Sequence, residues 1–286
     1  ALDPLDWWAR ALAGQPLMCD TQTRLDLVHD HVRAGLHAEA LALLEAATPE
    51  PRTGTAPLVA YAAAWLCHVL RDKAGERAWR KRARAAAPDW CFPARLEEFV
   101  ILSWAVATDA KDARAAYYLG NLLYDRRRHR EAIALGEKSA RLAPGYAVVW
   151  RNLGIGYFNV LRQPAKARRA YETAWRADRK DARVLYERDQ LWKRLGVAAA
   201  VRLRELAAHR ALVDERDDLT VEFGALLLAT GRAGEALALV GARKFQPWEG
   251  GEGLARGVFV DAHLALGCAA LATGDAAQAR GHFEAA

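Results

Sequence analysis

The chain is poor in the residues from which active sites are usually built. It has two serines, Ser103 and Ser139, both inside helical pattern. A nucleophilic Ser or Cys needs a base beside it in space, and no such arrangement can be read from this chain. The four cysteines, Cys19, Cys67, Cys91 and Cys268, include no closely spaced pair of the zinc or redox kind. Reduced and mostly buried thiols are therefore expected. The eight histidines form no metal pattern. His29 and His31 are two apart and so point to different sides of a helix; His37 falls in or near the next turn, and the others are isolated. No glycine-rich loop runs into Lys-Ser or Lys-Thr, and GIGYFN at 154–159 belongs to a helical pattern. No catalytic residue, metal or cofactor is assigned. No apolar run approaches the ~20 residues of a membrane span, and no basic-then-apolar leader opens the chain. No membrane partner and a cytoplasmic location are the expectation.

What is present favours helix. Of 286 residues, 52% are hydrophobic, alanine, leucine and arginine dominate, and β-branched residues are scarce. The net charge is +6, from 41 basic and 35 acidic residues. It reads as a mild excess spread along the whole length, which argues little about partners. The basic runs WRKRAR (79–84) and DRRRHR (125–130) lack interleaved aromatics and sit at helix ends or turns, as solvated faces do. No nucleic-acid partner is expected. The chain opens at Ala1 without methionine and stops at GHFEAA within a helical pattern, so a fragment of a longer protein is expected.

The chain repeats internally. AAYYLGNLLYDRRRHREAIALGEKSARLAP aligns with VVWRNLGIGYFNVLRQPAKARRAYETAWRAD, with Leu119 on Leu153 and Gly120 on Gly154, 34 residues on. The second copy is one residue longer in its turn, near Pro164, after which Ala132 matches Ala167 and Ser139 matches Ala174. Weaker copies flank these. DARVLYERDQLWKRLG carries Arg188 or Asp189 in place of the glycine. Later copies supply Gly224 with Ala236, and Gly267 with Ala279 and Phe283. Upstream, Gly35 and Ala40 mark one helix pair, and another ends at Pro88. PARLEEFVILSWAVATDA adds a single helix. At the start, Asp3 suits a cap, Pro4 the first helical position and Asp6 the first turn.

This period and pattern resemble the tetratricopeptide repeat. Trp150, Leu153, Gly154, Tyr157 and Ala167 stand at the signature positions in one copy, and Gly120, Ala132 and Pro144 in the other. The resemblance implies an all-α fold of about sixteen helices, a right-handed superhelix of stacked antiparallel pairs. Small residues lie where paired helices cross closely. Residues 1–111 read as irregular N-terminal helical repeats and 112–286 as tetratricopeptide repeats, in one continuous array. The ordered set DWWARALAG, CDTQTRLDLVHD, AYYLGNLLYDRRRHREA, RNLGIGYFN, YERDQL, RDDL and PWEGGEG is similar to the helical repeat region of a family of bacterial multidomain proteins. In that family this region follows a mutarotase-like β-sandwich domain of unknown function. This implies a carbohydrate-related domain before Ala1 and supplies no catalytic residue.

In such arrays the first helix of each repeat lines the concave face. Its outward positions read Tyr117, Tyr118, Asn121, Tyr124 and Asp125, then Arg151, Asn152, Phe158 and Asn159, then Tyr186, Asp189, Trp192 and Lys193. Rings alternate with amides and charges, which suits a peptide or a sugar. The alternative is that the rings only pack against neighbouring helices. The two-asparagine carboxylate clamp that grips chaperone C-termini matches at Asn121 and Asn152. Its basic positions read Tyr117, Ala182 and Tyr186, so that grip is not expected.

KFQPWEGGEG (244–253) breaks the period with a connector of about ten residues, longer than ordinary helix–helix joints. Trp248, Glu249 and Glu252 are candidate ligand contacts. Glu249 and Glu252 can also be read as paired acids of the glycoside-cleaving kind. In the plainer reading Phe245 and Trp248 staple a connector while Glu252 sits at a helix N-terminus. The functional expectation is a non-catalytic scaffold that binds a protein partner through the concave groove. The alternative is a helical accessory domain of a carbohydrate-active protein that contributes to sugar binding. Homo-oligomerisation is left open.

Overall fold

The computed structural model describes residues 6–286. The expected cap Asp3 and N1 proline Pro4 lie outside the described residues. Among those described there are seventeen α-helices and no strand. The chain divides into two compact units, Ala1–Leu161 and Arg162–Ala286.

The first unit holds α1 (Trp7–Leu12), α2 (Thr21–Arg33), α3 (His37–Glu45), α4 (Thr55–Val69), α5 (Lys73–Ala85), α6 (Leu96–Thr108), α7 (Ala113–Asp125), α8 (His129–Leu142) and α9 (Ala147–Asn159). Aspartates set several starts by accepting hydrogen bonds from orphan amides of the first turn. Asp6 caps α1, with Ala9 N donating at 2.8 Å, so Asp6 is the cap rather than a first-turn residue. Asp20 caps α2, Asp72 α5 and Asp112 α7. Helices α2/α3, α4/α5 and α7/α8 form antiparallel pairs, and the expected single helix α6 packs against both α4 and α7. Helix α4 is apolar nearly all round and buried over most of its length, as such a helix must be. Below it the Tyr61 hydroxyl donates to Asp112 Oδ1 at 2.9 Å, and the Tyr61 and Tyr118 rings meet edge to face.

The second unit holds α10 (Pro164–Ala177), α11 (Ala182–Arg194), α12 (Ala199–Ala207), α13 (Arg210–Glu215), α14 (Asp217–Ala229), α15 (Ala233–Gly241), α16 (Leu254–Ala272) and α17 (Ala276–Ala285). Pro164 takes the first turn of α10, as its fixed φ and missing N–H allow. Helix α16 corrects the expectation that no apolar segment approaches membrane length. Its 19 residues are long and apolar enough for a span by length and composition. It carries Arg256 and Asp261, and it packs against α14, α15 and α17.

The repeat register is visible in the helix starts. Helices α7, α9, α11 and α14 each have 13 residues, and the same place in each is held by Gly120, Gly154, Asp189 and Gly224. The fourth residue of α3, α8, α10, α15 and α17 is Ala40, Ala132, Ala167, Ala236 and Ala279. A Cβ on Gly120 would stand 3.3 Å from the Ala132 carbonyl oxygen, and one on Gly224 3.1 Å from Val258 Cγ1. At Gly120 the partner helix's backbone comes too close for a larger residue, and at Gly224 packed side chains of the neighbouring helices do. This is the all-α tetratricopeptide-repeat architecture. The glycine's replacement in the third copy is Asp189, and the fourth residue of α12, where the others have alanine, is Arg202.

The first unit also contains a buried histidine that the spacing argument did not foresee. His29 and His31 are both inside. His31 Nδ1 bonds the Leu27 carbonyl at 2.7 Å, whereas neither His29 nitrogen has a partner. His29 lines a small cavity with Leu25, Tyr61, Glu98, Ile101 and Leu102. Burial holds its pKa below the usual value, against the pull of Glu97, Glu98 and Asp26 and together with the push of Arg95. The unfolded chain therefore binds a proton here at a higher pH than the folded one does. This contribution to stability is complete above the unfolded pKa of about 6.5 and is lost as pH falls below it. Thermal melts between pH 7.5 and 5 should show a falling midpoint whose slope flattens in His29→Leu; an unchanged slope would refute the assignment.

Candidate functional site

The structure brings together part of the predicted groove on α7 and α9. Asn152 Nδ2 donates to Asn121 Oδ1 at 3.1 Å, and Arg151 Nη1 donates to Asn152 Oδ1 at 3.0 Å. All three side chains are half-buried. Burial pushes the Tyr117 phenol above its usual range, and the neighbouring Asn121 amide partly opposes this. The result is a short ladder of primary amides, each with both donor and acceptor capacity, flanked by a guanidinium.

The aromatic residues sit deeper than the outward register implies. Tyr117 and Tyr118 are buried, 6% and 0% exposed. Tyr117 packs on Tyr118 and Tyr146, and Tyr118 on Tyr61. The reason is that Tyr61 of α4 and the Tyr146 turn cover the side of α7 that a simple concave face would leave open. Tyr124 is half-buried, edge-on to His129 at 4.5 Å.

In the second unit, Tyr186 and Trp192 are half-buried and Asp189 is buried. Trp192 Nε1 donates to Glu172 Oε1 at 3.2 Å, and the Arg188 guanidinium lies 4.7 Å from its ring centre. Arg188 also pairs with Glu205. Asp189 takes two hydrogen bonds from Arg202, at 3.0 and 2.5 Å. Arg202 reaches on to Glu222 at 2.6 Å, and Lys193 meets the same carboxylate at 3.0 Å. Burial pushes the Asp189 carboxyl above its usual range, and the bonds from Arg202 offset this only in part. Asp189 and Arg202 are thus ion-pair partners inside the helix crossing. Arg202 was not visible as a candidate, although its place in the alanine register is a signal the sequence carries.

The KFQPWEGGEG segment joins α15 to α16 and is tied at both ends. Asp217 takes hydrogen bonds from Arg243 Nε and the Gln246 amide, both at 2.7 Å. The Trp248 indole lies over Gly251, where any Cβ would fall 2.0 Å from the ring. Gly250 and Gly253 have positive φ, and Gly253 directly precedes α16. Glu249 and Glu252 are both exposed, with Glu252 beside the start of α16. This arrangement accounts for the tryptophan and the three glycines as loop architecture.

Among the described residues no group of three or more His, Cys, Asp or Glu is placed to hold a metal ion. Cys67 and Cys91 are buried, Cys19 is half-buried and Cys268 is exposed, and all four thiols are free. Burial raises the Cys67 thiol to about 11, away from the thiolate range that nucleophiles need.

No family model matches the chain. Among solved structures it is similar to YrrB, described as a TPR protein with an unusual peptide-binding site. That match has 19% identity, 63% of this chain and 88% of the other aligned, and a TM-score of 0.47. A tetratricopeptide repeat protein from Parabacteroides merdae aligns over 92% of this chain and 90% of its own, at 15% identity and a TM-score of 0.42. MamA from Desulfovibrio magneticus RS-1 aligns over 70% of this chain and 99% of its own, at 17% identity and a TM-score of 0.40.

Proposed function

We propose that the chain is a non-catalytic repeat scaffold that holds an extended segment of a partner protein against the amide ladder of α7 and α9. The observation that carries this reading is the Asn152–Asn121 hydrogen bond at 3.1 Å, with Arg151 beside it. An extended peptide presents alternating N–H and C=O groups, and primary amides on the first helices of successive repeats can pair with both. The ladder recognises main chain, so affinity rests on it while neighbouring side chains such as Tyr124 choose the sequence. Arg151 favours a nearby carboxylate.

The sugar-binding alternative needs open ring faces. Tyr117 and Tyr118 are committed to the core, and Trp192 is bracketed by Glu172 and Arg188. No contact favours that reading over the peptide.

The test is selection of a random linear peptide library on the protein, followed by affinity measurement with the Asn121→Leu, Asn152→Leu double variant. Two lost hydrogen bonds at ~1 kcal/mol each predict at least a ten-fold weaker Kd, with the melting transition retained. Enriched peptides that bind the double variant equally well would sink the proposal, as would a library that yields none.

A further inference from the structure

Positive charge is gathered in several stretches rather than evenly spread: Arg71 to Arg84 has seven basic and two acidic residues, and the helix α10 region is a second such stretch. From Arg162 to Asp181, a stretch made of α10 and the turns at its ends, there are seven basic residues and three acidic ones. This stretch therefore carries a net charge of +4. All seven cations, Arg162, Lys166, Arg168, Arg169, Arg176, Arg179 and Lys180, are exposed. The acids are engaged locally. Asp181 caps α11, accepting from the Arg183 and Val184 amides, and Asp178 accepts from the Lys180 amide at 2.8 Å. Glu172 is held by Trp192 and Arg188. The large apolar residues of α10, Tyr171 and Trp175, are turned inward and buried. The helix thus presents a face of guanidinium and ammonium groups with no large apolar side chain in it.

We propose that this outer face of α10 is a docking surface for an acidic segment of a partner protein, rich in Asp and Glu. Five of the seven cations are arginines, whose planar fork matches carboxylates in a bidentate way. Single-stranded nucleic acid is disfavoured because no aromatic ring is exposed between the cations for bases to stack on. A membrane surface is disfavoured because the face has no apolar side chains to insert. The surface is separate from the amide ladder and does not rest on it.

The test is fluorescence anisotropy of a labelled oligoglutamate peptide titrated with the whole chain. Binding should be saturable at about 50 mM salt and at least ten-fold weaker at about 200 mM. The double variant Arg169→Glu, Arg176→Glu, two exposed positions two turns apart on α10, should lose at least ten-fold. Arg127→Glu, Arg130→Glu makes the same change in net charge on the α7–α8 turn and should stay within about three-fold. The Asn121→Leu, Asn152→Leu variant should bind as the parent does, which separates this surface from the proposed peptide ladder. Equal losses in the two charge-reversal variants would overturn the proposal. So would tighter binding to a DNA duplex or to phosphatidylserine vesicles, or no binding of the peptide at low salt.

Discussion

Arg202→Met should destabilise the second unit by about 3–5 kcal/mol, the usual result of stripping one partner from a buried ion pair. At roughly 2–4 °C per kcal/mol this is a fall of about 6–20 °C in its transition. The physical reason is that the carboxyl of Asp189, 3% exposed, would lose the two hydrogen bonds from Arg202 and be left buried without its ion-pair partner. The double variant Asp189→Leu, Arg202→Met should recover most of the loss and come within about 1 kcal/mol of the parent, because two well-packed apolar groups do not carry the desolvation cost. The raised pKa of Asp189 already says that burial costs its charge more than Arg202 returns. Differential scanning calorimetry of the two variants decides the matter. A single variant as stable as the parent would mean that water reaches Asp189. A double variant as poor as the single one would mean that the pair fixes the geometry of the crossing, not just its charge balance.

Trp175→Ala should cost about 3–5 kcal/mol, at the upper end for core truncation. Trp175 is the largest side chain among those fully buried. Its ring meets His209 edge to face at 4.9 Å, and the Arg179 and Arg188 guanidiniums stand 5.2 and 5.0 Å from its centre. Removing it leaves a cavity under α11 and α12 and takes away the surface on which Arg188 rests. Trp175→Phe should lose much less, since the indole N–H has no partner to forfeit. Chemical denaturation followed by circular dichroism gives both values. A loss below about 1.5 kcal/mol in Trp175→Ala would show that the site collapses onto the gap. Neither substitution touches the amide ladder, so binding measured well below the transition should persist in both.

These two sites also show what could be read in advance. The glycine and alanine positions could be placed from the 34-residue spacing alone, because a close helix crossing admits nothing larger at either point. The same rule applied to DARVLYERDQL leaves two candidates for the odd residue, Arg188 and Asp189. Only the helix start at Ala182 selects Asp189, and only the neighbouring helix supplies Arg202 as its answer. A charge sum taken in windows rather than over the whole chain shows α10 as one of several basic stretches, beside Arg71 to Arg84 with seven basic and two acidic residues. The outward orientation of the α10 cations needed the structure, since the same helix also carries Tyr171 and Trp175.

The candidate groove divides in a similar way. Periodicity placed Asn121 and Asn152 on the first helices of successive repeats, and the amides do meet. It also placed Tyr117 and Tyr118 outward, and these are core residues, because Tyr61 of α4 and the Tyr146 turn cover them. Spacing along one helix says which side chains share a face; it does not say what covers that face. The helical class, the repeat and the close crossings follow from propensity and side-chain size within a local window. The burial of the tyrosines, the isolation of His29 and the Asp189–Arg202 pair were decided by tertiary structure. Each depends on which helices, distant in the chain, stand next to one another.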